Sequence, residues 1–211
     1  QQQQQQQQQR RARRATAAAG RAARARAQRG TMRPLTDEET KLVFAKLQSF
    51  IGQDVARLID RKDETHVFRL HNQRVYYVSA KQLHAATNVH RDKLISLGTL
   101  FGKFTKSGKF HLTIHCLDFL AQYAKYKVWV KPNSEMAFLY GHNITKIGLG
   151  RITENTPQNA GVVVLNMNGI PLGFGLTAQS TATCTSIEPT ALVVLHQGDI
   201  GEYLRSEQEM N

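Results

Sequence analysis

The segment that most constrains the fold is a pair of strand-sized apolar runs joined by Asn168-Gly169. Gly161–Leu165 precedes this dipeptide and Ile170–Leu176 follows it. Asn-Gly between two such runs is the strongest short-range signal for a β-hairpin, because both central positions of a type I′ turn need a positive φ. Glycines alternate in the second run, which is typical of bulges and tight bends. The segment therefore predicts a hairpin within a small, strongly curved sheet.

The residues around this hairpin predict further short strands. Val128–Val130 forms one apolar strand, and Lys131–Asn133 is expected to interrupt the chain after it. Ser134 is then expected to cap a helix that runs through Tyr140 and ends at Gly141. Two more strands are expected near Ala182–Ile187 and Ala191–His196. About six short strands and one helix in ~80 residues predict a closed or nearly closed β-barrel.

Residues 32–126 show a different pattern, in which helical and strand-like segments alternate. Thr36 and Glu39 have the spacing of a capping box, and the apolar residues behind them predict a helix of about four turns that stops at Gly52. Short helices are expected after Ser79 and from Cys116 to Tyr123. Two hairpins are predicted, one from Val67–His71 with Val75–Val78 and one from Lys103–Thr105 with Lys109–Ile114. This region predicts an α/β domain with an antiparallel sheet, so the fold class is α+β.

The net charge of +12 is concentrated in the first 31 residues. Of the 28 Lys and Arg residues, eight are arginines in residues 1–31, which contain no acid; the other 20 face 16 Asp and Glu residues, which leaves +4. An acid-free Arg/Ala tract is typical of an organellar transit peptide, and Arg10–Arg14 of a nuclear signal or a nucleic-acid arm. Because Met32 opens the first segment with globular patterning, we expect residues 1–31 to be a disordered extension or non-functional upstream sequence.

The sequence offers no constellation typical of catalysis or metal binding. The two cysteines, Cys116 and Cys184, form no CxxC pair and are expected to be small buried hydrophobes in a reducing compartment. His111 and His115 lie near Cys116, but a nucleophilic pair also needs an orienting group and an oxyanion site. We expect no catalytic residue, no metal and no cofactor. No apolar run reaches the roughly 18 residues of a membrane span.

Phe138–Asn155 is the candidate binding segment, because it combines a glycine-rich turn with two cations, Lys146 and Arg151. Gly148 and Gly150 can take positive φ and let another backbone approach, and a loop of this kind presents N–H groups that suit phosphate. The spacing of a nucleotide-binding P-loop is absent. The residues alone leave two interpretations open, a tight turn between β-elements and an RNA-contact loop.

Long blocks of the chain resemble one family. VKPNSEMAFLYGHNITKIGLGRITENTPQNAGVVV, IPLGFG and HQGDIGEYLR resemble the PUA domain, a β pseudo-barrel that binds RNA. Upstream, MRPLTDEETKLVFAKL, FRLHNQRVYYVS, KLISLGTLFGKFTK and YAKYKVWVKP are similar to the same two-domain family, the nuclear import protein seven family of PUA-containing 60S ribosome biogenesis factors. The resemblance runs from Met32 to about Glu207. It divides the chain into a 1–31 extension, a 32–126 α/β domain and a 127–207 PUA domain.

The resemblance implies a non-catalytic, nucleolar and nuclear factor that binds pre-ribosomal RNA and is needed for its processing. It implies partners among pre-60S factors: a Spb-type rRNA methyltransferase, a Nop-type assembly protein and an exosome subunit. It implies no membrane and a monomer within the particle. The mild charge of residues 32–211 keeps an alternative open, a protein-protein adaptor whose barrel contacts other factors more than RNA. An RNA-modifying enzyme is disfavoured, since residues 32–126 are few for a catalytic domain.

The resemblance also places the RNA-binding residues. Lys127 and Lys131 belong to the first strand of the PUA domain, and the glycine loop contributes Lys146, Gly148, Gly150 and Arg151. Gln179 stands where the family pattern leads us to expect a lysine, which weakens that side of the barrel as a phosphate site. Trp129, the only tryptophan, is expected to be a core residue rather than a base-stacking platform.

Overall fold

The computed structural model describes residues 32–61, 64–89, 93–94 and 96–205. The expectations for residues 1–31 lie outside this part of the chain. None of the helices in the described ranges is long and apolar enough to cross a membrane.

The N-terminal half contains a five-stranded antiparallel sheet with the simple order β1-β2-β3-β4-β5. The strands are β1 (Arg33–Pro34), β2 (His66–His71), β3 (Arg74–Ser79), β4 (Thr99–Phe104) and β5 (Phe110–Leu112). Both predicted hairpins are present. The first turns at Asn72 and Gln73, whose φ angles of 47° and 64° are those of a type I′ turn.

Four α-helices belong to the described part of the N-terminal half. They are α1 (Asp37–Ile51), α2 (Val55–Ile59), α3 (Ala80–Ala86) and α4 (Leu117–Tyr123). The predicted capping box starts α1, since the Thr36 side chain accepts from the Glu39 amide and the Glu39 carboxylate accepts from the Thr36 amide. The same helix ends at Gly52, whose φ is +62°. Val43, Leu47 and Phe50 form its buried stripe.

The C-terminal half contains a six-stranded sheet with the order β7-β11-β10-β9-β6-β8. Its elements are β6 (Lys127–Val130), α5 (Pro132–Leu139), β7 (Ile144–Thr145), β8 (Leu149–Ile152), β9 (Gly161–Asn166), β10 (Pro171–Thr177), α6 (Thr181–Cys184), β11 (Leu192–Asp199) and α7 (Glu202–Arg205). The predicted hairpin of β9 and β10 is present, with Gly169 at φ +86°. Although β7 and β8 are consecutive in the chain, they form the two ends of the sheet, so the turn between them brings the ends together into a nearly closed barrel.

Two local predictions for this half are wrong. Helix α5 begins at Pro132 with Lys131 as N-cap, so Ser134 lies inside the helix and caps nothing; proline fits the first helical turn, where no backbone N–H is needed. The expected strand near Ala182–Ile187 is instead α6, because the Ser180 side chain caps a helical turn there. A run of small hydroxyl residues favours such caps as readily as it favours a strand.

The two sheets share a packed joint around Phe50. This side chain, at the end of α1, is 1 % exposed and meets the ring of Phe174 on β10 edge-to-face, with centroids 5.7 Å apart. Gly161 leaves the space that the ring fills, since a Cβ there would lie 2.6 Å from the Phe50 ring. The core of the N-terminal half thus extends across the outer face of the barrel, through Val163 and Leu165.

Candidate nucleic-acid interface

The glycine loop is the turn that joins β7 to β8 and closes the barrel. Its amide groups are used inside the protein: those of Lys146, Ile147, Gly148 and Leu149 donate to the carbonyls of residues 191, 189, 145 and 146. The expectation that this loop presents N–H groups is therefore wrong for these four positions. Of the two interpretations left open by the sequence, the backbone has the form of a tight turn between two strands.

The two glycines of the loop serve close approach by side chains. Neither Gly148 nor Gly150 has a positive φ, so the expected left-handed conformation is absent at both positions. A Cβ at Gly148 would lie 2.5 Å from Ser134 Oγ on α5, and one at Gly150 would lie 2.7 Å from Met167 Sδ in the β9–β10 hairpin. The glycines let a helix and a hairpin close over the loop.

Lys146 is engaged by the segment that follows α6. Its ammonium group donates to the carbonyls of Thr185 at 2.8 Å and Ile187 at 2.7 Å. These acceptors lie 39 and 41 residues further along the chain. Lys146 is thus a clamp that fixes the 185–187 segment, and one of its three N–H donors is left for a ligand.

Strand β6 presents alternate residues to its two faces. Val128 and Val130 are fully buried in the barrel core, so Lys127, Trp129 and Lys131 project outward. The Lys131 ammonium donates to the Ile147 carbonyl at 3.0 Å, and the Lys131 amide donates to the Gly148 carbonyl at 2.9 Å. The strand end is therefore attached to the loop, and the ammonium keeps two further donors.

Arg151 and Trp129 form the most specific arrangement on this face. They are cross-strand partners on β8 and β6, and the guanidinium carbon lies 3.8 Å from the centroid of the indole. The Trp129 ring packs against the core cluster that joins the two sheets, in agreement with its interpretation as a core residue. Because the Arg151 guanidinium covers the indole, this face of Trp129 holds a cation in place of a base, and Arg151 itself is exposed to solvent.

A second polar cluster lies at the end of β11. Asp199 is fully buried, and its carboxylate accepts from His196 Nε2 at 2.6 Å, Arg205 Nη2 at 2.8 Å and the Gly201 amide at 2.7 Å. One ligand atom each of His196, Asp199 and Glu202 lies within 4.8 Å of the others, which is a spacing that metals use. The Arg205 guanidinium is ion-paired with the same Asp199 carboxylate.

Burial shifts the pKa of two side chains, Cys116 and Glu202, that could otherwise take part in catalysis. Burial raises the pKa of the Cys116 thiol far above its usual range, and its Sγ donates to the Thr113 carbonyl. Burial also raises the pKa of the Glu202 carboxyl, and the Asp199 charge adds to the effect. Cys116 is a free, inert cysteine, as the sequence predicts, and Cys184 is likewise free and buried.

Comparisons with known proteins define the class of this fold. Residues 32–114 match the family model of the NIP7/UPF0113 pre-PUA domain, and residues 126–208 match that of the UPF0113 PUA domain. A PUA domain structure from Aeropyrum pernix K1 is similar over 84% of this chain and 90% of its own, with a TM-score of 0.55 at 13% identity. A hypothetical protein from Pyrococcus horikoshii OT3 gives a TM-score of 0.50 at 16% identity over 79% of this chain and 93% of its own. The molecule is an α+β protein in which a pre-PUA domain precedes a PUA pseudo-barrel.

Sequence relatives identify the family within this class. The chain is 61% identical to a 60S ribosome subunit biogenesis protein NIP7 homolog of Xenopus tropicalis, over 85% of this chain and 99% of the relative. The corresponding proteins of Danio rerio and Dictyostelium discoideum are 62% and 59% identical over the same share of this chain, and 99% and 100% of their own lengths are covered. The chain belongs to the NIP7 family, as the resemblance predicts.

Proposed function

We propose that this protein is a non-catalytic RNA-binding assembly factor of the large ribosomal subunit, needed for processing of the precursor rRNA. The observation that carries the proposal is the exposed Arg151 guanidinium, held over Trp129 beside Lys127 on the outer face of β6 and β8. A stacked guanidinium is pre-oriented, so it gives up little freedom when its edge binds a phosphate. The relatives' description as 60S ribosome subunit biogenesis proteins supports the assembly role.

The proposed RNA-binding residues differ in how many of their N–H donors already bond to groups within the protein. Arg151 and Lys127 supply the principal phosphate contacts. Lys131 and Lys146 supply weaker contacts, because their ammonium groups already donate to one and two carbonyls. Gly148 and Gly150 contribute indirectly, since their lack of a side chain lets Ser134 and Met167 pack against the loop.

The proposed role in large-subunit assembly implies further partners and a location in the cell. We place the protein in the nucleolus and nucleus, with pre-60S factors that include a Spb-type rRNA methyltransferase, a Nop-type assembly protein and an exosome subunit. The extents proposed for its parts are a 1–31 extension, a 32–126 α/β domain and a 127–207 PUA domain. The absence of catalysis is supported by the inert Cys116 and by the Asp199 carboxylate, which is saturated by its own protein partners.

A second candidate function is a protein-protein adaptor. Large apolar side chains near the loop are exposed, among them Met136 and Tyr140 at α5 and Ile147 in the loop itself. Such side chains would suit a protein partner more than a phosphate backbone. The salt response separates the two functions, since binding through phosphates weakens steeply with salt whereas binding through an apolar interface does not.

The test is fluorescence anisotropy of the full chain with a short single-stranded RNA across a salt series. The variant Lys127→Gln/Arg151→Gln is compared with Arg57→Gln/Lys81→Gln, which removes the same charge from exposed side chains of the N-terminal half. We expect the first pair to weaken binding and to flatten the log–log salt slope by up to about 1.4, or about 0.7 for each phosphate that the variant no longer neutralises. Arg151→Lys keeps the charge and separates the stacked geometry from charge alone.

The control pair is expected to leave the slope unchanged. RNA binding with the same affinity and salt slope in both double variants would contradict the proposal that this surface binds RNA. Weak, salt-insensitive binding in the unaltered protein would favour the adaptor.

A further inference from the structure

A second cationic surface lies on the N-terminal sheet, at the end where both hairpins turn. The β2–β3 turn and the β4–β5 turn are neighbours there, since the Phe104 amide donates to the Gln73 carbonyl at 2.8 Å. We call this surface the turn end and define it by five residues: Arg74, Lys103, Lys106, Lys109 and His111. It is far in sequence from the glycine loop, and the proposed interface does not use it.

Strand register sets three of these residues side by side. Arg74 on β3 pairs with Lys103 on β4, and Lys103 pairs with His111 on β5. Directly opposite residues share a face of the sheet, so the three form a row with steps of about 5 Å across the strands. Lys103 and His111 are exposed. A row of basic side chains at this spacing can follow a chain of phosphates.

The strands and turns that form the turn end carry no carboxylate of their own. The segments His66–Ser79 and Thr99–Leu112 contain neither Asp nor Glu. Among the described residues, the ion pairs of the structure do not involve Lys103, Lys106 or Lys109. Exposed lysines outside any ion pair of the described residues attract a polyanion, so a chain of phosphates would be bound favourably by Lys103, Lys106 and Lys109.

The turn is shaped without the help of its lysines. The Lys109 amide donates to Thr105 Oγ1 at 3.1 Å, the Thr105 amide donates to the Lys109 carbonyl at 2.8 Å, and Thr105 Oγ1 lies 2.9 Å from Ser107 Oγ. Gly108 supplies the left-handed position at φ +78°. Backbone and hydroxyl groups therefore hold the turn, and the exposed ammonium groups of Lys106 and Lys109 remain available to a ligand.

We propose that the turn end is a second RNA-phosphate surface, so that one RNA strand is held by both halves of the molecule. The inference rests on the proposed function for the identity of the polyanion. The surface is made of long, flexible cations without an apolar anchor, which suits contact with a phosphate backbone and gives no sequence choice. An acidic protein segment is the competing occupant.

The experiment measures RNA binding by the full chain with Lys103→Gln/Lys106→Gln/Lys109→Gln. The matched control is Lys41→Gln/Arg57→Gln/Lys81→Gln, which removes the same charge from exposed positions on helices α1, α2 and α3. Each protein is titrated with a long and a short single-stranded RNA across a salt series. We expect the turn-end variant to weaken binding of the long RNA and to reduce its salt slope by up to about 2, while the short RNA, bound at the barrel, is held as before.

The salt slopes of the variants distinguish this inference from the proposed function. An unchanged slope for the long RNA in the turn-end variant, with a reduced slope in Lys127→Gln/Arg151→Gln, overturns this inference and leaves the proposed function standing. Equal losses in the turn-end variant and its control overturn it as well, since net charge alone would then explain the effect. Absence of RNA binding in the unaltered protein removes both proposals. Unfolding midpoints equal to that of the unaltered protein show that each variant is folded.

Discussion

Replacement of Phe50 by Ala tests whether the two sheets unfold as one unit. The ring is 1 % exposed, lies on Gly161 and meets Phe174 edge-to-face at 5.7 Å. Truncation of a buried phenylalanine typically costs about 3–5 kcal/mol, because the surroundings close the cavity only in part. Of this, the aromatic pair with Phe174 accounts for about 0.5–1.5 kcal/mol. For a chain of this size the expected fall in unfolding temperature is about 6–20 °C.

The single tryptophan makes the assay specific. Trp129 lies on β6 of the barrel and packs against the joint, so its fluorescence follows the unfolding of the barrel together with the joint, whereas far-UV circular dichroism follows both halves. Phe50 lies on α1 of the N-terminal half. If the joint couples the halves, Phe50→Ala must move the Trp129 transition and the dichroism transition together in urea.

The controls bracket the expected result. Tyr140→Ala removes an aromatic side chain that is 64% exposed and should change the free energy of unfolding by less than about 0.5 kcal/mol. Gly161→Ala inserts a methyl group against the Phe50 ring and should cost about 1–3 kcal/mol from the other side of the joint. A Trp129 transition that stays in place in Phe50→Ala, while the dichroism curve splits in two, would refute the coupling.

Two further substitutions test contributions to the free energy of unfolding. Lys146→Met leaves the carbonyls of Thr185 and Ile187 without their charged donor, so we expect a loss of about 1–2 kcal/mol in urea unfolding; no loss would show that the clamp is dispensable. Glu202 has a raised pKa in the folded state, so the folded protein binds its proton more tightly, and this group destabilises the protein as pH rises through the interval above the usual Glu pKa. Glu202→Gln removes this contribution, so the variant should gain more stability over the unaltered protein near pH 7 than at acid pH. Urea midpoints of both proteins at several pH values measure the difference, and the same pH profile in both would contradict the prediction.

Local signals predicted most of the secondary structure because they act over a few residues. The capping box of Thr36 and Glu39 and the turn at Asn168-Gly169 each specify backbone geometry within four or five positions. The same reasoning failed at Ser134, because a serine near a proline offers two plausible helix starts and Pro132 is the one that the fold uses. It also failed at Ala182–Ile187, where short hydroxyl-rich segments satisfy both helical and extended conformations.

The contacts of the candidate site residues could not be predicted from the sequence. The segment with Lys146 and Arg151 was identified by composition, yet the partners of each cation depend on contacts between distant residues. Lys146 meets Thr185 and Ile187 only because the barrel closes at this loop, and Arg151 meets Trp129 only through the pairing of β6 with β8. Spacing within one segment carries no information on either contact.

Closure of the barrel explains why one glycine loop can hold cations in two different roles. The β7–β8 turn must join the two ends of the sheet, so its amides at 146–149 donate to backbone carbonyls and the Lys146 ammonium donates to two more, those of Thr185 and Ile187. Arg151 lies past the turn, on β8, where the outer face is free of that task and the Trp129 ring supports the guanidinium. A cation near a glycine turn is therefore weak evidence for phosphate binding by itself. The exposed, stacked position of Arg151 gives it the stronger claim, and substitution of Lys146 is expected to report on stability first.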